Sequence, residues 1–341
     1  MLFVRIRQQN FVVDMNCEYA KNAAFPEKPE VTSNPGSPVH GVLVLDKPEG
    51  ITSFGLVAKV KKLLNIKKVG HCGTLDPFAT GVMILCLNQA TRIVDQLLVQ
   101  DKAYRFTLRF GVETDTLDRT GQVIRVYEGP PPSEDELMMR VKGFLGTHQQ
   151  RVPRYAAVKI QGKRLYELSR KGIEVDLPSR EVQIQRLELI SYRWPEAVLE
   201  AECSKGTYIR QLASDLGTQL GCGAHVTQLR RLRSGSFGIE CAISLDAFPE
   251  RSPCSFWEKK LITMNEALPH LPGIVVTNKR IVKRIQEGTL DSDWENEHRD
   301  HFAVSNVPVK VLAPDNHLVA LWWPHADGRE QRRLRVFQSV R

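Results

Sequence analysis

The stretch Val69-Gly-His-Cys-Gly-Thr-Leu-Asp-Pro-Phe-Ala-Thr-Gly81 constrains this chain more than any other, and it runs straight into the apolar segment 82–87. Glycines at 70, 73 and 81 open backbone angles closed to other residues, so the loop can fold tightly and approach another molecule closely. Pro77 fixes its own φ and biases Asp76 towards an extended conformation, which narrows where that carboxylate points. Two readings stand for this dipeptide. It is an ordinary turn signal, or it presents a carboxylate on a stiff loop as a nucleophile or general base.

A chain of 341 residues has enough material for a large domain plus a smaller one. With 42% apolar and 25% charged residues it has the composition of a globular protein, and its longest apolar run, 82–87, is strand-sized. The N-terminal residues lack a long apolar core followed by small residues, which points away from secretion and towards a cytoplasmic protein. Seven cysteines (17, 72, 86, 203, 222, 241 and 254) are odd in number and form no Cys-x-x-Cys pair. Neither a disulfide framework nor a metal site is expected from them. The net charge of +8 favours a polyanionic partner, nucleic acid above all.

Residues 1–39 lack sustained periodicity and read as a flexible leader. Order begins with a short strand at 41–46, followed by a helix capped by Thr52 or Ser53 with Phe54, Val57, Val60 and Leu64 inward. Residues 90–99 read as helix, and 102–112 alternate as a strand with Tyr104, Phe106, Leu108 and Phe110 on one face. Tyr104 is then by default a core residue. Ser133 to Glu136 has the capping-box pattern and opens a helix to about Phe144.

Residues 147–173 interleave Arg151, Arg154, Lys159, Lys163, Arg164, Arg170 and Lys171 with Tyr155 and Tyr166. Such a stretch is either a solvated basic surface or a site for RNA phosphates and bases. Strands follow at about 181–194 and 197–203, then a helix entered through Ser204 to Arg210 and stopped by Gly221. Arg210 falls in the first turn, the positive end of the helix dipole, so an acidic partner is expected to offset it. Arg230, Arg231 and Arg233 form a further cationic cluster beside Leu229. From about 251 short apolar segments indicate a small β-rich domain joined by a linker.

Six of these stretches together resemble the bacterial TruB-type pseudouridine synthases. They are 41–50 (GVLVLDKPEG), 70–81 (GHCGTLDPFATG), 101–105 (DKAYR), 111–118 (GVETDTLD), 204–210 (SKGTYIR), and 221–226 (GCGAHV) with 229–232 (LRRL), in the family's order over roughly 40–240. The resemblance implies isomerisation of a uridine in the TΨC loop of tRNA (standard tRNA position 55), without a cofactor and without an obligate protein partner. It implies an α+β fold: a mixed, mostly antiparallel central sheet flanked by helices over about 40–250, with a small C-terminal PUA-like unit over 251–341. By position, Asp76 matches the catalytic aspartate, Arg210 the arginine that pairs with it, and Tyr104 the aromatic that stacks on the target base. Tyr208 and Leu229 match pocket residues, and His71 a residue that helps hold the T-loop with its base extruded. Arg151, Arg154, Lys159, Lys163, Arg164, Arg230 and Arg231 are expected on the RNA backbone, whereas Lys47 and Pro48 match a structural motif.

The chemistry fits such residues. Moving the glycosidic bond from N1 to C5 of the same base is redox-neutral, and one ionised carboxylate can act as its nucleophile. A base inside a folded loop must be flipped out to be reached. Three other readings remain: a chaperone that binds the tRNA elbow with little or no catalysis, a guide-dependent synthase in a ribonucleoprotein, and a glycosidase. The last lacks a second acid at a recognisable spacing from Asp76.

Overall fold

The structure is a computed structural model that describes residues 39–160, 162–173, 175–248, 255–299, 302, 307–324 and 334–338. The expected leader (apart from Val39) and the expected boundary at residue 250 lie outside the described residues.

The elements follow the sequence closely. The first part comprises β1 (Gly41–Lys47), α1 (Ser53–Leu63), β2 (Val69–His71), β3 (Thr80–Leu87), α2 (Val94–Leu98), β4 (Lys102–Phe110), β5 (Val112–Thr114), β6 (Val123–Val126) and α3 (Glu134–Gly143). There follow β7 (Gly146–Arg151), β8 (Lys159–Ile160), β9 (Lys163–Arg164), α4 (Leu165–Arg170), β10 (Ser179–Arg193), β11 (Glu196–Cys203) and α5 (Ile209–Gln219). Then come β12 (Ala224–Ser234), β13 (Phe237–Gly238) and β14 (Ile243–Ser244). The C-terminal part holds α6 (Ser255–Glu258), β15 (Gly273–Val275), α7 (Lys279–Gln286), α8 (Ser292–Arg299), β16 (Val309–Leu312), β17 (Leu318–Trp322) and β18 (Leu334–Val336).

A ten-stranded sheet runs in the order β14-β1-β3-β12-β4-β11-β10-β7, with β2 added to β3 and β13 to β12. Most pairs are antiparallel, while β1–β14 and β3–β12 are parallel, so the sheet is mixed as expected. One face packs Leu43, Leu45, Met83, Leu85, Phe106 and Leu108 against Val57, Val60, Leu212 and Leu216 of the helices. Behind β1 and β3, Val42, Val44, Val82 and Ile84 meet Leu268, Leu271 and the C-terminal residues Leu312, Leu318, Leu321 and Phe337. Burial on both faces is why these two strands read as unbroken apolar runs. Across β4 and β11 the outer face stays open, and there Arg105 pairs with Glu200 at 2.5 Å. A second sheet, β15-β16-β17-β18, forms the C-terminal β-rich part.

Three local expectations are corrected. Phe54 is 77% exposed rather than inward, because the first turn of α1 turns Ser53 inward instead: its hydroxyl bonds both the N–H and the carbonyl of Leu75. Residues 88–93 form a 3-10 turn ahead of the short α2 instead of one continuous helix. Gly70 keeps no positive φ, and a Cβ there meets only ordinary contacts, so its place in the loop does not require glycine.

Gly81 is different. Its φ is +103°, and a Cβ would lie 2.2 Å from the carbonyl oxygen of Arg231, where β3 and β12 touch. We predict that Gly81→Ala destabilises the fold by on the order of 3 kcal/mol or more; a thermal melt within a degree or two of wild type contradicts this packing.

Candidate active site

The loop between β2 and β3 is held in place from three sides. Lys47 is fully buried, and its ammonium donates to the carbonyls of Pro48 (2.9 Å), Ile51 (2.8 Å) and Pro77 (3.2 Å). Burial pulls its pKa down to about 8, with Asp76 and Glu49 opposing. The Ser53 hydroxyl fixes Leu75, and Gly50 donates its N–H to Pro77. Between these anchors stands Asp76, with 31% of its side chain open and the rest enclosed by protein.

Arg210 reaches it from the first turn of α5, with its own side chain only 4% exposed. Its Nε lies 2.8 Å from Asp76 Oδ2 and its Nη2 lies 3.3 Å from Oδ1, a two-pronged pair. The remaining donors go to the carbonyls of Thr116 (2.7 Å) and Tyr155 (2.9 Å). A second carboxylate, Asp118, stands 3.6 Å from Nη1 and is itself bonded by Thr116 and by the N–H and hydroxyl of Thr120. The acidic partner expected for a cation at a helix N-terminus is therefore doubled. Burial pushes the Asp76 pKa up, Arg210 pulls it down, and Asp118 adds to the upward push; the net direction is up.

A cavity of about 350 Å³ opens above Asp76, lined among others by Tyr104, Tyr155, Tyr208, Arg210, Leu229 and Arg231. Tyr104 is 7% exposed and belongs to the core of β4, and it also walls the cavity. Tyr208 caps α5 and is clamped through its backbone by the buried Gln150, which accepts from its N–H at 2.8 Å and donates to its carbonyl at 3.1 Å. The Arg180 guanidinium lies 5.2 Å from the Tyr208 ring centre. The cavity thus brings together Asp76, Tyr104, Tyr208, Arg210 and Leu229 from four separate stretches of sequence.

Not every expected residue is in it. His71 is half-buried on β2 and does not line the cavity; burial lowers its pKa and favours the neutral ring. Arg231 is corrected from its expected place on the RNA backbone. It is 1% exposed, because its position on β12 alternates with the outward Arg230 and shares the inward face of Leu229. Its Nε donates to Val82 O at 2.6 Å and its Nη2 to Gly73 O at 3.3 Å. Arg230 is partly exposed but paired with Asp46 at 2.6 Å. Arg151, Arg154 and Lys163 are exposed, whereas the side chains of Lys159 and Arg164 lie outside the described residues. Sequence reading missed Asp118, Gln150 and Lys102. For Asp118 the signal was present, since the residue closes the 111–118 motif.

The central mixed sheet is shared with a solved Cbf5–Nop10–Gar1 complex, at a TM-score of 0.62 and 25% identity over 92% of each chain. The fold is that of the pseudouridine synthases. Residues 61–209 match the model of the TruB family pseudouridylate synthase N-terminal domain, and 210–263 that of the tRNA pseudouridylate synthase B C-terminal domain. The tRNA pseudouridine synthase B of Syntrophobacter fumaroxidans is 58% identical over 298 residues, covering 87% of this chain and 97% of that protein. That of Syntrophus aciditrophicus is 39% identical over 284 residues, 82% and 90% of the two chains. The chain belongs to the TruB family of pseudouridylate synthases and is an isomerase.

If Asp76 is the attacking carboxylate, as proposed below, activity is lost as pH falls through its pKa, which Arg210 restrains. Arg210→Lys keeps the charge but gives up the two-pronged contact. We predict a lower rate at neutral pH and an acid limb shifted upward by roughly one unit in the pH–rate profile; a downward shift refutes this account of the pair.

Proposed function

We propose that this enzyme converts the uridine of the TΨC loop of tRNA (standard tRNA position 55) to pseudouridine, with Asp76 as the nucleophile. The observation that carries the reading is the convergence of Asp76, Arg210, Tyr104, Tyr208 and Leu229 on one cavity. The names of the relatives support tRNA as the substrate. In this reading the target base leaves its stack, lies against Tyr104, and is boxed by Tyr208 and Leu229. His71, outside the cavity, supports the loop from which the base has been drawn. The carboxylate attacks C6 of the base or C1′ of the sugar, the N1–C1′ bond breaks, C5 bonds to C1′, and the carboxylate is released. The C5 proton passes to solvent and N1 gains one, so the reaction is balanced without oxidant or reductant.

The phosphates of the T-arm fall to the exposed Arg151, Arg154 and Lys163, together with Lys159, Arg164 and Arg230. Arg230 is a weaker candidate because Asp46 already neutralises it. Residues 40–250 serve as the catalytic body and 251–341 as a small PUA-like unit. The protein acts in the cytoplasm and needs no protein partner. Among the described residues no helix is long and apolar enough to cross a membrane.

A T-arm hairpin with tritium at C5 of its uridine tests this reading. The intact protein alone releases the label into water, whereas Asp76→Asn binds the hairpin with similar affinity and releases none. Undiminished release by Asp76→Asn removes Asp76 as the nucleophile. Binding without release by the intact protein supports the chaperone reading instead.

A further inference from the structure

Four charged residues line the catalytic cavity: the anion Asp76 and the cations Lys102, Arg210 and Arg231. Arg210 is committed to Asp76 and Asp118. Lys102 and Arg231 are not so committed. They are 6% and 1% exposed, and among the described residues no carboxylate comes within the 4.0 Å of an ion pair with either. Their donors go to carbonyls instead: Lys102 to Leu98 at 3.0 Å and to Gln100, Arg231 to Val82 and Gly73. An ammonium has three N–H donors, and among the described residues two acceptors are found for that of Lys102. The Arg231 guanidinium sits beside the Tyr104 hydroxyl.

Two buried cations are an expensive way to bind a neutral base. They are also too enclosed to serve phosphates. Uracil is neutral before and after isomerisation but not between. If the carboxylate adds to C6, the π pair of C5=C6 moves through the ring to make an enolate at O4. If it attacks C1′, the N1–C1′ pair stays on the ring and spreads over O2 and O4. Either route puts negative charge on ring carbonyl oxygens inside this cavity. Groups that interact more strongly with that stage than with substrate or product accelerate the reaction.

We propose that Lys102 and Arg231 form a cationic floor to the catalytic cavity, with Lys102 donating its remaining N–H to a carbonyl oxygen of the extruded uracil and Arg231 positioning Tyr104 above it. The proposal rests on the substrate reading given above. It assigns a catalytic contact to Lys102, while Arg231 acts through Tyr104.

Lys102→Met keeps the length of the side chain and removes the charge. On saturating tritiated T-arm hairpin its single-turnover rate is expected to fall roughly 100- to 1000-fold, with hairpin affinity within about threefold of wild type. Lys102→Arg is expected to recover part of the loss. If Lys102 merely tethers the carbonyls of Leu98 and Gln100, the Met variant melts earlier but keeps its saturating rate within about threefold, and the proposal is wrong. A loss confined to hairpin affinity also overturns it. A second measurement requires no variant. The Lys102 ammonium is held down to about 8 by burial, with Arg231 lowering it further and Cys203, Asp101 and Cys72 opposing. The floor works only when Lys102 is protonated, so the wild-type single-turnover rate falls as pH rises through that region. No fall between pH 7 and 10 overturns the proposal even if the variants fail to fold. Should wild type release no tritium at all, the substrate reading fails, and the floor is not what has been refuted.

Discussion

The arrangement of the site depends on one buried guanidinium. Arg210 leaves the first turn of α5, where the helix dipole disfavours a cation, and is enclosed almost completely. A charge so placed persists only if its hydrogen bonds are made. Making them draws in the Asp76 loop, the 116–118 turn and the carbonyl of Tyr155 in the basic stretch 147–173. The same contacts that stabilise the cation therefore assemble the cavity from segments far apart in sequence. They also set the state of Asp76. A carboxylate tied only to an arginine is held ionised but blunted as a nucleophile, and one merely buried holds its proton. Here burial and Asp118 act against Arg210, and the net effect is a pKa raised above the ordinary carboxylate value.

The loop that carries Asp76 owes its rigidity to backbone carbonyls bonded by buried cations. Lys47 gathers three of them, and Arg231 binds Gly73 on one side and Val82 on the other. Both cations approach a backbone that must pass very close. At Gly81 the backbone lies against that of Arg231, which is the physical reason this position is glycine. Gly73, with φ +101°, leaves its would-be Cβ position 3.4 Å from the Arg231 guanidinium, and here it is the left-handed backbone that calls for glycine. Of the three loop glycines, two are thus explained by geometry and Gly70 is not.

How far the sequence reveals this depends on whether the relevant signal is local. The alternation over 102–110 placed Tyr104 inward, and the capping box at Ser133 and Glu136 forms as written. Arg231 shares the face of Leu229 on β12, but the run of arginines reads as a cationic surface cluster, so composition hid its inward place. Phe54 misled in the opposite way: its spacing from Val57 and Val60 is helical, but Ser53 is the residue that Leu75 draws inward. Gln150 carries no local signal, and Lys102, though it lies in the 101–105 motif and on the face of Tyr104, reads as a strand-end cation. Their roles come from strand neighbours and carbonyls that only the folded chain brings within reach.

The distribution of the cations changes what the net charge of +8 means. Lys47, Lys102 and Arg231 are enclosed and bond to carbonyls, while Arg105, Arg230 and Arg233 on the open strands pair with Glu200, Asp46 and Glu202. None of these is open to a polyanion, since the first three are enclosed and the others are already paired. Exposed Arg151, Arg154 and Lys163 have no carboxylate partner among the described residues. They belong to the same basic stretch, 147–173, whose Tyr155 carbonyl accepts from Arg210. On the proposed function, charge open to RNA and charge enclosed around the cavity are thus held apart, and one short segment, from Arg151 to Tyr155, links them. An RNA backbone settling on that segment, as that function requires, would bear directly on the carbonyl that helps hold Arg210 against Asp76.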